Sequence, residues 1–333
     1  MEREAEVLAF QQLTPDQMLD AVDSAITDRC DGRFLALNSY ENRVYQVGLE
    51  NGTNIVAKFY RPKRWSDESI LEEHSFTAEL ADLEIPVVAP LQDDNGNTLF
   101  FHDQFRFTLY PSKGGRTMEL DNPDHLELMG RMVGRIHSAS SNRPFAHRPK
   151  VDIQSYVVDA RKCIEDSGFL PAHLDLAYNS LCDDLQTRIE NCFSRAGDLE
   201  QIRLHADLHA SNVLWTDEGA HIVDFDDART GPAVQDIWMF LSGDRSYMQK
   251  MLLEFLEGYR QFNDFSAAEL HIVEALRTMR MIHYSGWLVA RWADPAFQQA
   301  FPWFNEVQYW EGQILALREQ AALMDEAPLK DNF

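Results

Sequence analysis

A chain of 333 residues with 45% hydrophobic and 11% aromatic content is long enough for two lobes, each with its own core, and too apolar to stay disordered. Its formal net charge of −24 speaks against nucleic acid as a partner, because phosphate backbones are bound through clustered Lys and Arg. No uncharged apolar stretch approaches the roughly 18 residues that span a bilayer, and the start MEREAEVLAFQQLTP has acids where a secretory leader is basic, so a cytoplasmic protein without membrane contact is expected.

Thr14-Pro15-Asp16-Gln17 reads as a helix start, with Thr14 as N-cap, Pro15 at the first helical position and Gln17 closing a capping box. From Arg43 to Tyr60, RVYQVGLENGTNIVAKFY alternates apolar and polar residues on both sides of Asn51-Gly52, which predicts a hairpin with a tight turn. A helical pattern over 66–84 comes next, then the extended IPVVAPL, then a second hairpin around Asn95-Gly96 with strands near 98–102 and 105–110. Turn residues cluster in Tyr110-Pro111-Ser112-Lys113-Gly114-Gly115, and long helical patterns come after them. Residues 1–110 therefore read as an N-terminal lobe, a small antiparallel sheet with one main helix. Residues 111–325 read as a larger, mostly helical lobe and 326–333 as a disordered tail. Helices are expected near 123–141, 152–166, 173–195, 233–262, 267–291 and 303–323, with short strands only over 203–226. Cys30, Cys163, Cys182 and Cys192 lack C-x-x-C spacing and read as buried thiols of a reducing compartment.

The strand-bearing interruption carries the chemistry. Residues 205–228, HADLHASNVLWTDEGAHIVDFDDA, hold three histidines and six carboxylates. Phosphoryl transfer needs a carboxylate to orient and deprotonate the attacking hydroxyl, and oxygen ligands for Mg²⁺ on the nucleotide phosphates. The spacing offers Asp207 for the hydroxyl and Asn212 and Asp224 for the metal, hard donors of the kind Mg²⁺ takes. A zinc hydrolase is the competing reading, with His205, Asp207 and His209 on one side of a strand. Upstream, Ile55-Val56-Ala57-Lys58 ends a hairpin strand where a lysine can reach the α and β phosphates. The next helix offers Glu72, Glu73 and Glu79 as its partner, an arrangement for which a metal hydrolase has no use.

With these parts in place the chain resembles the aminoglycoside phosphotransferase and choline kinase superfamily, and more narrowly the bacterial stress response kinase A family of Ser/Thr protein kinases. The phrases that carry the likeness are LNSYENRVYQ, VAKFYRPKRW, ILEEHSF, HADLHASNVLW, DFDDARTGPAVQDIWM and RWADPAF, spread over nearly the whole chain. The resemblance implies an α+β, two-lobed protein-kinase-like fold and an enzyme that uses ATP and Mg²⁺. It implies Asp207 as catalytic base, Asn212 and Asp224 as metal ligands, Lys58 on the nucleotide phosphates and Ser39 in the turn over them. A glutamate thirteen residues before Pro86, as superfamily members have it, makes Glu73 the partner of Lys58 and leaves Glu72 facing solvent. The acceptor implied is a protein Ser or Thr hydroxyl, the chain's own included, and a monomer is expected. A small hydroxylated molecule is the alternative acceptor; a cationic one would suit the net charge, although acidity for solubility alone is the more ordinary cause.

Two departures from the protein kinase pattern stand out. LNSYENR has no glycine, so the G-x-G-x-x-G cover is absent. Asp224-Phe225-Asp226 has an acid in place of the glycine of D-F-G, which leaves Asp226 either a metal neighbour or an electrostatic one. Asp236 is expected to hydrogen-bond the catalytic loop backbone, and Arg277, Arg280 and Arg291 to be solvated or paired.

Overall fold

The computed structural model describes residues 10, 12–141, 143–217 and 219–332. Residues 1–9, on which the leader reading rests, and Glu218 lie outside the described residues. Contacts divide the chain into two units, residues 1–118, 146–148 and 211–226 in the first and 119–145, 149–210 and 227–333 in the second.

In the first unit the capping box opens helix α1 (Pro15–Ala25): Thr14 Oγ1 accepts from the Gln17 N–H at 3.3 Å, and Gln17 Oε1 from the Thr14 N–H at 3.1 Å. Strands β1 (Cys30–Ala36), β2 (Arg43–Leu49), β3 (Asn54–Phe59), β4 (Phe100–His102) and β5 (Phe105–Pro111) form one antiparallel sheet in the order β1-β2-β3-β5-β4. Pleating sends Ile55, Ala57 and Phe59 of β3 into a core with Met18 and Val22 of α1 and Phe105, Phe107 and Leu109 of β5. The Phe59 and Phe107 rings stack at 5.1 Å, and each such buried side chain contributes about 1.5–3 kcal/mol. Lys58, one residue out of phase, projects from the opposite face. Helix α2 (Asp67–Asp82) is capped by Ser66, whose Oγ accepts from the Ser69 N–H at 3.1 Å, and buries Ile70, Phe76 and Leu80.

The second hairpin turns at Asp103 and Gln104, with Asp103 at φ 51°, between β4 and β5. Asn95-Gly96, expected as its turn, is a separate loop: the Asp93 carboxylate accepts from the N–H groups of Asn95 at 2.9 Å and Asn97 at 2.7 Å. Strand β1 is not among the expected strands, and its mostly exposed residues show no apolar alternation. A second sheet of β6 (Arg116–Thr117), β8 (Val213–Thr216) and β9 (Gly219–Ile222) completes the unit. It is joined to IPVVAPL by Val88 N–H to Ile222 O at 3.0 Å and Ile222 N–H to Pro86 O at 2.9 Å.

The second unit is mostly helical, with α3 (Pro123–Ser140), α4 (Asp159–Ser167), α5 (Asp175–Ala196), α6 (Arg245–Tyr259), α7 (Val273–Arg291), α8 (Pro295–Ala300) and α9 (Val307–Asp325), and the strand pair β7 (Ile202–Leu204) and β10 (Arg229–Gly231). The expected helix over 233–262 is broken into short 3₁₀ turns and α6, because Gly243 takes φ 84° and Asp244 N-caps α6, accepting from the Tyr247 N–H at 2.9 Å. The expected disordered tail is instead hydrogen-bonded through residue 331. Leu329 is buried, Lys330 N–H donates to Gln249 Oε1 at 2.8 Å, and Arg260 pairs with Asp331 at 2.8 Å.

Helices α3 and α6 touch backbone to backbone. A Cβ at Gly258 would stand 1.9 Å from Glu127 O, and one at Gly130 1.9 Å from Phe255 O. Overpacking a tight contact costs about 1–3 kcal/mol or more. Gly258→Ala is therefore expected to lower the urea midpoint by a corresponding amount; a midpoint equal to the parent's would contradict the helix contact. Among the described residues no helix is long and apolar enough to cross a membrane. Cys182 and Cys192 are buried thiols, Cys30 and Cys163 half-buried ones.

Candidate active site

The first unit gathers one set of expected residues around Lys58. Its ammonium is 3.1 Å from Asp224 Oδ1 and 3.0 Å from Asp226 Oδ1, and the residue is only 4% exposed. Burial works against this charge, but Asp226 and Asp224 outweigh it and hold the ammonium well above its usual pKa. Asp226 is 4% exposed, ion-paired to Arg64 as well, and its carbonyl accepts from Arg148. It is thus an anion among three cations.

One hairpin explains why Asn212 and Asp224 lie at the same end of the sheet. Strands β8 and β9 form a hairpin with Val213 opposite Ile222, and Val223 N–H donates to Asn212 O at 3.0 Å. The two expected metal ligands therefore flank the open end of one hairpin. Asp224 sits at φ 63°, a strained conformation for a non-glycine residue, and its side chain is 53% exposed. A carboxylate and an amide oxygen are hard donors that fit Mg²⁺, and Asp224 already holds a cationic group, the Lys58 ammonium.

Glu73 is 1% exposed and ion-paired to Arg148 at 3.9 Å, while Lys58 lies on Asp224 and Asp226. The expected Lys58–Glu73 pair is not made here. Burial pushes the Glu73 carboxyl up to about 7, with Lys58 and Arg148 pulling the other way. Glu72, expected to face solvent, instead accepts from three consecutive backbone N–H groups, Ala146 at 2.6 Å, His147 at 2.8 Å and Arg148 at 3.0 Å. That carboxylate draws 146–148 onto α2 and delivers Arg148 to Glu73. Ser39, in the β1–β2 turn, is half-buried, and its Oγ accepts from the Asn42 N–H at 3.4 Å.

The second unit positions Asp207. Ala206 takes φ 66°, against its intrinsic preference, and is held there from both sides. Asp236 Oδ1 accepts from its N–H at 2.7 Å, and Gln235 Nε2 donates to its carbonyl at 2.8 Å. Asp236 Oδ2 also accepts from the His205 N–H at 2.9 Å and lies 3.2 Å from His137 Nε2, itself bonded through Nδ1 to the Tyr259 hydroxyl at 2.9 Å. Asp236 thus bonds the loop backbone. Asp207 Oδ1 is 2.5 Å from Arg280 Nη1 and Oδ2 is 3.6 Å from His209 Nε2. Burial pushes its carboxyl up, but His209 and Arg280 more than offset this and hold it below the ordinary carboxylate range.

A zinc cluster of His205, Asp207 and His209 does not form. Strand β7 ends at Leu204, so the alternation that would align them is lost, and His205 is fully buried with Nδ1 accepting from the Asp207 N–H at 3.3 Å. Among the described residues no three His, Cys, Asp or Glu side chains are grouped to hold a metal ion.

Comparison with known proteins gives consistent results. A model of the phosphotransferase enzyme family matches residues 33–271. Stress response kinase A of Escherichia coli (strain K12) is 44% identical over 322 residues, 96% of this chain and 96% of that protein. A Salmonella typhimurium (strain LT2) relative named serine/threonine protein kinase RdoA is 42% identical over 328 residues, again 96% of each. Amicoumacin kinase hAmiN, solved in complex with AMP-PNP, Ca²⁺ and Ami, matches with a TM-score of 0.71 over 95% of both chains at 19% identity, a likeness of fold.

Proposed function

The chain belongs to the phosphotransferase enzyme family, among its stress response kinase A members, and from that premise we propose an ATP- and Mg²⁺-dependent kinase acting on Ser or Thr hydroxyls of proteins, its own included. The observation that carries this reading is the clasp of Lys58 by Asp224 and Asp226. A buried cation beside a half-exposed carboxylate suits joint binding of nucleotide phosphates and their metal.

In this reading Lys58 meets the α and β phosphates, Ser39 contacts ATP from the β1–β2 turn, and Glu73 orients Lys58 once the ammonium has turned to the nucleotide. Asn212 and Asp224 would hold Mg²⁺, which when bound would neutralise charge developing on the transferred phosphoryl group. Asp207, kept ionised by Arg280 and His209, aligns the acceptor hydroxyl and takes its proton. The Asp236 and Gln235 hydrogen bonds fix the loop from which it acts, so the geometry is set before substrate arrives.

Two observations support a protein acceptor over a small amine. A relative covering 96% of this chain is named a Ser/Thr protein kinase. Arg280 lies directly on Asp207, so an acceptor bringing an ammonium to the base would meet a like charge. The alternative, a small-molecule hydroxyl phosphotransferase, is favoured by the fold shared with amicoumacin kinase. Incubation with γ-labelled ATP and Mg²⁺ decides between them, with degenerate Ser/Thr peptides in one series and choline and an aminoglycoside in the other. Label is expected in the peptides; label confined to the amines would overturn the protein reading.

A further inference from the structure

The β1–β2 turn has no glycine, and side chains from the segment after β3 secure it instead. Arg61 N–H donates to Asn42 Oδ1 at 3.1 Å, its Nε to Glu41 O at 2.9 Å, and its Nη2 to Tyr40 O at 3.3 Å. Its Nε also stands 3.0 Å from the Glu41 carboxylate, which lies 3.8 Å from Arg64 Nε. Arg64 reaches on to Asp226 Oδ2, and Asp226 Oδ1 is the one facing Lys58. An unbroken row of alternating charges, Glu41, Arg64, Asp226, Lys58 and Asp224, thus runs from the turn that carries Ser39 to the expected metal ligand. All but Asp224 are shielded, the Arg64 side chain being 11% exposed and that of Asp226 5%.

This row poses a problem for a lysine that must serve a nucleotide. Lys58 can turn to phosphate only if the carboxylates it leaves stay compensated, because a buried charge stripped of its partner is strongly destabilising. Asp224 is half-exposed and takes the metal in the reading above. Asp226 is buried and keeps Arg64.

We propose that Arg64 is a positioning residue, the standing counter-ion of Asp226 that releases Lys58 to the nucleotide, while its contact with Glu41 ties that exchange to the turn over the phosphates. The proposal rests on Lys58 being the phosphate ligand. It makes Asp226 a charge holder for two cations, and not a metal ligand. Without Arg64, Asp226 keeps Lys58 and the nucleotide must compete for it.

The test is equilibrium binding of AMP-PNP with Mg²⁺ to the full chain, by calorimetry, in the parent, Arg64→Met, Arg64→Lys, Arg64→Met/Asp226→Asn and Lys58→Met. Arg64→Met is expected to weaken binding roughly tenfold or more, as loss of one partner of a buried charge pair does, with Arg64→Lys between it and the parent. Adding Asp226→Asn, which removes the competing anion, is expected to recover most of the loss. A purely structural role for Arg64 gives no such recovery. Parent-like binding by Arg64→Met, or a double variant no better than the single one, overturns the proposal. Should Arg64→Met fail to fold, Arg64→Gln against Arg64→Gln/Asp226→Asn makes the same comparison, and a double variant binding no better than Arg64→Gln overturns it. Parent-like binding by Lys58→Met would instead remove the underlying assignment of Lys58.

Discussion

Asp207→Asn is expected to lower kcat for phosphate transfer by about 10²- to 10⁴-fold, the range a positioned general base supplies, with little change in KM for ATP. The substitution is nearly isosteric and leaves the loop braced, since Ala206 and His205 are held by Asp236 and Gln235 and not by Asp207 itself. The residues proposed to hold ATP, Ser39, Lys58 and Glu73, belong to the other unit, so nucleotide binding survives while proton acceptance is lost. Steady-state kinetics with a peptide acceptor provide the check. A loss under tenfold would remove Asp207 from the role of base.

Asp224→Ala is expected to lower kcat/KM by about 10²- to 10³-fold, because metal stabilisation of transition-state charge is worth several kcal/mol and each 1.36 kcal/mol is a factor of ten. Its effect should differ in kind from that of Asp207→Asn. Removal of one of two proposed protein donors weakens Mg²⁺, so raising Mg²⁺ should recover part of the activity of Asp224→Ala and none of that of Asp207→Asn. Folding should tolerate the change, since Asp224 is half-exposed and Lys58 retains Asp226. Activity of Asp224→Ala that equals the parent's, at any Mg²⁺ concentration, would contradict the metal assignment.

The candidate site is legible in the sequence where it depends on spacing along one element. Lys58 stands out because a strand alternates, and Asn212 and Asp224 because of their spacing from Asp207 along the chain. Pairings between distant segments leave no such trace. Glu72 reads as solvent-facing because its neighbour Glu73 is on the buried side of α2, and nothing local announces that three N–H groups of 146–148 converge on it. Arg64 and Arg148 carry no local signal in the sequence, and only the folded chain sets both against Asp226. Periodicity likewise runs through 233–262 as one helix, although Ser242-Gly243-Asp244 is a stop and then an N-cap. The polar composition of the tail suggests fraying, whereas Leu329 is buried and its neighbours bond to α6 and its C-cap. In the second hairpin Asn95-Gly96 carries the familiar turn signal, while the true turn at Asp103 adopts a positive φ without glycine or asparagine to mark it.

The central claim, transfer of the terminal phosphoryl group of ATP to a protein hydroxyl, is tested most directly by the position of the label. The intact chain is incubated with Mg²⁺ and either γ-labelled or α-labelled ATP, and the protein and peptide acceptors are then hydrolysed in acid. Phosphoserine and phosphothreonine labelled only from the γ position are the predicted result. Label transferred from the α position, or γ label released solely as free phosphate, would contradict it.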